Sequence, residues 1–386
     1  MRILTLSCEY PPIGGGGATA ARVQAEALVR AGHEVDVLTA GMPGLAPCET
    51  IGGVHVFRVP GWRRWRHYST AIEQASFLPG MLHRGHHLAA ARPYDIIHSH
   101  FVVPTGLVAR HLARRHAIPY VVTAHGSDVP GYNPDRFALL HRLIRPAWRT
   151  VLQDAAAVTS PSRFVRGLIQ RHADVAVELL PNAYDAPTLP AVAKRPRVLA
   201  VARLVERKGI AHLIDALASL GTDAEYVIAG DGPQRAMLEA RARALGLSVA
   251  FLGQVDRDRL GSLYASSSIF VLPSARENFP MVLLEAMSAG CAVVTTRHTG
   301  CAEVVGDAGL LVPAGDSQAL REALAGLLGN PRRAAALGQA ARQRVAEFAS
   351  TRVTARLEAL FVRCLAAERS AHRLEARAPA AWPLVR

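Results

Sequence analysis

Short apolar runs alternate with helical segments along most of the chain, and the alternation breaks once, at the proline-bearing, non-periodic stretch 186–196. Before the break, strands are expected at Ile3 to Ser7, Val35 to Thr39, Val54 to Val59, Ile96 to His98, Tyr120 to Thr123, Ala157 to Thr159 and Val177 to Leu180. After it a second series begins at Arg197, with strands Val198 to Ala202, Glu225 to Ala229, Val249 to Leu252, Ile269 to Leu272 and Ala292 to Thr295. Helices are expected there at Gly209 to Leu220, Pro233 to Ala244, Met281 to Ala289 and Ser317 to Leu328. Strands that alternate with helices form parallel sheets covered on both faces, and such sheets bind ligands beyond the carboxyl ends of their strands. At 386 residues the chain is long for one core, so two domains are expected. The boundaries fall at 1–185, a linker 186–196, 197–350, a helix 351–371 and a disordered tail 372–386 rich in Ala, Arg and Pro.

The stretch Phe270 to Gly290, FVLPSARENFPMVLLEAMSAG, carries the most chemistry. A buried strand ends in a loop, Pro273 to Phe279, and Pro280 suits the first position of the next helix, where a missing N–H costs nothing. That helix is apolar almost all round, yet Glu285 sits inside it, and a buried carboxylate needs a partner. Free N–H groups at a helix start bind anions, and Glu277 in the loop and Glu285 about two turns later both face such an anion's surroundings. Phosphates meeting amides and hydroxyls meeting carboxylates is the pattern of a nucleotide diphosphate sugar. On spacing alone the two glutamates also fit a solvated loop acid and a carboxylate placed for the helix dipole.

Other candidates lie at expected strand ends. Gly14 to Gly17 follow the first strand and precede a helix, a place where backbone approaches a ligand closely, although the G-x-G-x-x-G dinucleotide spacing is missing. His98-Ser99-His100 and His125-Gly126-Ser127-Asp128 each close a strand, with Asp128 suited to cap the next turn. Arg203 and Lys208 flank the loop after the strand Val198 to Ala202. Lys208 stands out because the chain has only one other lysine, Lys194, and a compact ammonium is not interchangeable with a guanidinium. Asp231 reads as a turn residue.

The E-x7-E pair between a strand and an LLEAM helix resembles the signature of retaining glycosyltransferases of the GT-B fold, family 4. The resemblance runs over about residues 1 to 365. It includes the N-terminal glycine pair (Gly15, Gly16), HGSD around His125, PNAYD at 181–185, ARLVERKG as an R-x4-K pair (Arg203, Lys208) and GDGP at 230–233. It implies two Rossmann-like doubly wound domains facing across a cleft, the first for the acceptor and the second for the nucleotide sugar. It further implies Glu277 and His125 as catalytic residues. Gly15, Gly16, Arg203, Lys208, Asn278, Phe279, Met281, Val282 and Glu285 are implied to bind substrate, with backbone around 253–255 at the base. Pro280 stands where the family often has Gly, which leaves the N–H groups of Met281 and Val282 as phosphate donors. The C-terminal helix is implied to cross back to the first domain, although the Trp of the family's FSWE lead-in is missing from 347–351. The reaction implied is transfer of a sugar to an acceptor hydroxyl with retention, in polysaccharide, glycolipid or other glycoconjugate synthesis. No cofactor is expected, and no D-x-D pair is taken to hold a metal.

Composition narrows the rest. A formal charge of +13 points to an anionic partner, whether nucleic acid, phospholipid or phosphorylated substrate; no nucleic-acid recognition module is legible. An epimerase of the same fold would use the donor without an acceptor. A nicotinamide dehydrogenase is disfavoured by the glycine spacing. The five cysteines form no zinc-type pairs and no even framework, so they read as reduced hydrophobes. No run reaches the length of a membrane span, and MRILTLS begins directly as a strand, so the cytoplasm is expected. Trp62, Arg63, Arg64, Trp65, Arg66, His67 and Tyr68 concentrate indole and guanidinium groups in one loop, an arrangement that suits an anionic membrane face and equally an ordinary basic loop packed on its domain.

Overall fold

A computed structural model describes residues 1–66 and 69–377. His67, Tyr68 and the expected tail beyond residue 377 lie outside the described residues. The chain divides into two compact units, one of 1–160, 166–180 and 351–386, the other of 161–165 and 181–350.

The first unit is built on β1 (Arg2–Ser7), β2 (Glu34–Ala40), β3 (Cys48–Ile51), β4 (Val54–Val59), β5 (Ile96–His100), β6 (Tyr120–Thr123), β7 (Ala157–Ser160) and β8 (Val177–Leu179), in the order β3-β4-β2-β1-β5-β6-β7-β8. All pairings are parallel except β3 with β4. β1, β5 and β6 are buried along nearly their whole length, which is why they read as apolar runs and not as alternating patterns. The edge strand β3 is half exposed and polar, CETI, and is absent from the expected set. Its hairpin turns through Gly52 and Gly53, at φ 57° and 81°, the left-handed conformation such turns require.

The second unit holds β9 (Arg195–Val201), β10 (Glu225–Ala229), β11 (Ala250–Gly253), β12 (Ser267–Leu272), β13 (Ala292–Thr296) and β14 (Leu310–Val312), all parallel, in the order β11-β10-β9-β12-β13-β14. The chain winds outward from β9 to β11, then returns to β12 beside β9 and winds the other way. That reversal is a topological switch point, and it opens a crevice at the carboxyl ends of β9 and β12. Apolar residues cover both faces of this sheet in two buried clusters, one around Phe270, Leu284 and Met287, the other around Ile214, Ile269 and Leu324.

The last helix, Ser350–Arg377, runs past the expected boundary at 371. Within the first unit it buries Phe361 against the His98 ring (centroids 5.5 Å apart) and pairs Glu358 with His33 at 2.6 Å and Arg363 with Glu178 at 2.8 Å. Among the described residues no helix is long and apolar enough to cross a membrane.

Candidate active site

The loops that leave β9 and β12 border the switch point of the second unit, and they are locked backbone to backbone. A 3₁₀ turn, Glu206–Lys208, ends at Gly209 with φ 68°. A Cβ on Gly209 would lie 2.2 Å from the carbonyl oxygen of Pro273, so only glycine lets the two loops touch. Across this contact the Ala275 N–H donates to Arg207 O at 2.8 Å. Lys208 then reaches Glu277 and forms an ion pair whose side chains are only 15% and 10% exposed. The residues expected for phosphate and sugar thus meet as one buried charge pair. Arg203 lies exposed on the same loop.

Glu277 is fixed from behind. Its carbonyl accepts from Gly300 N at 2.9 Å, and Asn278 Oδ1 accepts the Ser162 hydroxyl at 2.5 Å. Phe279 packs edge-on to Phe348 at 5.5 Å. Pro280 is the N-cap and not the first helical residue, with ψ 109°, and the helix runs Met281–Ser288. The correction is one position: ψ of Pro280 is still extended, so the helix starts after it, and the first N–H groups, of Met281 and Val282, have no carbonyl within the helix to accept them. Glu285 finds its partner in Tyr264, whose hydroxyl donates to Oε2 at 2.8 Å. Burial pushes the Glu285 carboxyl above its ordinary range, with the Tyr264 bond opposing. The turn at 230–233 closes the other flank of the loop after β9, since Cβ atoms on Gly230 and Gly232 would lie 1.9 Å from Ala202 O and 2.4 Å from Leu204 O. Asp231 accepts from Gly232 N at 2.7 Å, a turn bond.

A D-x-D spacing does occur, at Asp256-Arg257-Asp258. Asp256 is the N-cap of the helix Arg257–Ser266 and accepts from Arg259 N at 2.8 Å, a role that accounts for an aspartate at that position. Among the described residues no group of three or more His, Cys, Asp or Glu is arranged to hold a metal ion.

In the first unit the candidates gather at the carboxyl ends of β1, β5 and β6. Gly15 is the N-cap and Gly16 the first residue of the helix Gly16–Arg30, and both are exposed. A Cβ on Gly17 would come within 2.9 Å of the Phe101 ring and 3.7 Å of His125 Cγ. Phe101 holds a left-handed backbone, φ 75°, a conformation that costs energy in a bulky residue, and its ring lies 4.7 Å from that of His125. Asp128 is more than a turn cap. Its buried carboxylate accepts from His125 N at 3.0 Å and Val102 N at 2.6 Å, tying the loops after β5 and β6 together. Burial raises it to about 6 against these amide bonds.

His98 and His100, weighed alike in the sequence, part company here. His98 Nε2 bonds the Thr123 hydroxyl at 2.8 Å inside the sheet. His100 Nδ1 meets His125 Nε2 at 2.9 Å, and the two rings stack at 18°. Burial lowers all three, His98 to about 3, His125 to about 4 and His100 well below its ordinary value. The only sequence signal for His100 was its place at a strand end. The aromatic-basic loop is also revised. Arg63 is buried, pairs with Glu9 at 2.9 Å and donates to Trp65 O and Arg66 O, because a buried guanidinium needs acceptors. Trp62 (76% exposed) and Trp65 (60%) do not pack on the unit, and Arg64 and Arg66 are exposed beside them.

Residues 15–183 match the family described as glycosyl transferase 4-like domain, and residues 185–344 the family described as glycosyl transferases group 1. An uncharacterized glycosyltransferase of Methanocaldococcus jannaschii is 30% identical over 79% of this chain and 83% of its own length. A phosphatidyl-myo-inositol mannosyltransferase of Mycolicibacterium smegmatis is 31% identical over 83% of each chain. Among solved structures, sucrose-phosphate synthase from Thermosynechococcus elongatus superposes with a TM-score of 0.80 at 25% identity, over 95% of this chain and 100% of that one. The chain belongs to the GT-B glycosyltransferases, of the family 4 type.

Proposed function

We propose that the protein transfers a sugar from a nucleotide diphosphate sugar to an acceptor hydroxyl with retention at the anomeric carbon. The observation that carries this reading is the buried Lys208–Glu277 pair at the switch point, with Glu277 four residues before the amide-rich start of the helix Met281–Ser288 and about two turns from Glu285. The diphosphate lies against the N–H groups of Met281 and Val282, with Lys208 and Arg203 supplying positive charge as its bond to the sugar breaks. Glu285, held by Tyr264, accepts from the ribose hydroxyls. Glu277 and Asn278 face the sugar. The C1–oxygen bond to the diphosphate breaks, the acceptor oxygen bonds C1 from the same face, and its proton goes to the departing phosphate oxygen. In the first unit, His125 is the second catalytic residue and the Gly15–Gly16 turn binds substrate. Cationic side chains and amides take the part that metal plays elsewhere, so the reaction needs no divalent ion.

The acceptor we propose is a lipid headgroup or lipid-linked saccharide at an anionic membrane surface. The exposed Trp62 and Trp65 flanked by Arg64 and Arg66 support it, as does a relative with a phospholipid in its name. A bound donor raises the melting temperature by mass action, so a screen of nucleotide sugars identifies the donor. NMR of the first-formed product then gives the anomer. An inverted product, loss of activity with a chelator restored by magnesium, or sugar conversion without any acceptor each counts against the reading, the last in favour of an epimerase.

A further inference from the structure

The His100–His125 bond joins two imidazoles that burial keeps neutral, so a single proton lies between them. Two arrangements exist, because a neutral ring has one donor and one acceptor nitrogen. If His125 Nε2–H donates, His100 must carry its own proton on Nε2. If His100 Nδ1–H donates, His100 Nε2 is a bare lone pair and His125 carries its proton on Nδ1. His100 Nε2 is fully buried and has no hydrogen-bond partner among the described residues. A buried N–H without an acceptor is rarer than an acceptor without a donor, so the second arrangement is the stable one.

We infer that His100 is a positioning residue that fixes His125 in the Nδ1–H tautomer, leaving His125 to meet substrate as a hydrogen-bond donor and not as a base. The surroundings hold the His125 ring in place. Asp128 fixes the His125 backbone through its N–H and ties it to Val102, next to the strained Phe101. The Phe101 ring and the bare Gly17 backbone border the His125 ring from other elements. His125 therefore cannot turn to exchange its nitrogens without breaking the bond to His100. A donor at this place stabilises an oxygen that gains negative charge, as oxyanion-hole donors do. That last step rests on the proposed glycosyl transfer; the tautomer does not.

The test uses the full-length protein labelled with 15N-histidine, with the His125 signals identified by their loss in His125→Gln. Long-range 1H–15N correlation at neutral pH is expected to show a protonated Nδ1 and a bare Nε2. His100→Asn, whose amide stands in for the Nδ1–H donor, is expected to keep this pattern and most of the activity. His100→Leu is expected to release His125 to the Nε2–H form and to lower kcat roughly tenfold or more, with KM for the donor substrate changed far less. A bare Nδ1 on His125 in the unaltered protein overturns the inference, and that spectrum decides it even where His100→Leu does not fold. Unchanged kcat in a folded His100→Leu removes the catalytic part. The expected tautomer with no transfer from any nucleotide sugar leaves the inference standing and refutes the proposed function instead.

Discussion

Replacing Gly300 by alanine adds one methyl group against the backbone of the loop that carries Glu277 and Asn278, and two physical arguments give it opposite signs. Gly300 begins the short helix Gly300–Val305, and alanine is favoured over glycine in a helix by about 1 kcal/mol, so local propensity alone expects a firmer protein. Packing expects the reverse. The new Cβ would lie 1.4 Å from Asn278 O, 2.4 Å from Asn278 C and 3.0 Å from Glu277 O. The loop carrying Glu277 and Asn278 must therefore retreat by about 1.6 Å before the first contact reaches even 3.0 Å. That retreat breaks the Gly300 N–Glu277 O bond and strains the Ser162–Asn278 and Lys208–Glu277 contacts. Overpacking costs roughly 1–3 kcal/mol and a lost hydrogen bond about 1, which outweighs the propensity gain and leaves a destabilisation of about 2 kcal/mol. For a unit of this size that lowers the melting temperature by roughly 4–8 °C. A shift of more than about 1 Å in a catalytic group costs on the order of 100-fold in rate. Circular dichroism melts and initial rates of donor turnover measure both. A Gly300→Ala protein that melts at or above the parent temperature with unchanged kcat/KM would refute the claim that close backbone packing positions Glu277.

Arg203→Ala and Lys208→Ala are each expected to lower kcat/KM about 100-fold, and near-normal rates in both would remove them from the diphosphate site. Lys208→Ala also strands the buried Glu277 carboxylate, so it is expected to destabilise by about 3 kcal/mol, largely restored in the Lys208→Ala, Glu277→Gln double variant. Acidification should destabilise the first unit. His98 and His125 titrate at about 3 and about 4 folded but near 6.5 unfolded, so below about pH 6.5 the unfolded chain takes up their protons first. Each then costs about 1.4 kcal/mol per pH unit down to its folded value. Asp128, raised to about 6, acts oppositely: its protonated folded form gains stability as pH falls from about 6 to its unfolded value. A melting temperature constant from pH 7 to 5 would contradict the buried neutral histidines. Finally, sedimentation with anionic vesicles should fall when Trp62, Arg64 and Trp65 are replaced by Ser, at roughly 1 kcal/mol per arginine, and equal recovery with neutral vesicles would leave a soluble acceptor.

The strands Tyr120–Thr123 and Glu225–Ala229 fall at the bounds expected from the sequence, because strands buried along almost their whole length must be apolar, and Val54–Val59 does so with exposed His55 between buried Val54 and Val56. The pairing of Glu285 with Tyr264 and of Glu277 with Lys208 could be posed as a need for partners, since burial of a carboxylate is readable from its neighbours. The partners' identities were less so, because they come from other loops. Arg63 looked like a surface cation until the loop folded it onto Glu9, and the capping role of Asp256 depends on where a helix starts. His100 differs from His98 only in what the next strand places beside it, and the need for glycine at 300 depends on a carbonyl from another loop. Such information lies in tertiary contact, beyond the reach of local pattern.

The helix Ser350–Arg377 closes the first unit from the far end of the chain. On the ribosome the second unit, nearly contiguous from 181 to 350, can complete itself as it emerges, whereas the first must wait. Its residues 1–160 lack the Phe361 that covers His98 and the Glu358 that meets His33 until about 200 further residues have been made. At typical elongation rates that is a delay of about 10–40 s. Through that interval the newest part of the chain is the better folded, and the apolar bed of the last helix is the surface a chaperone would meet.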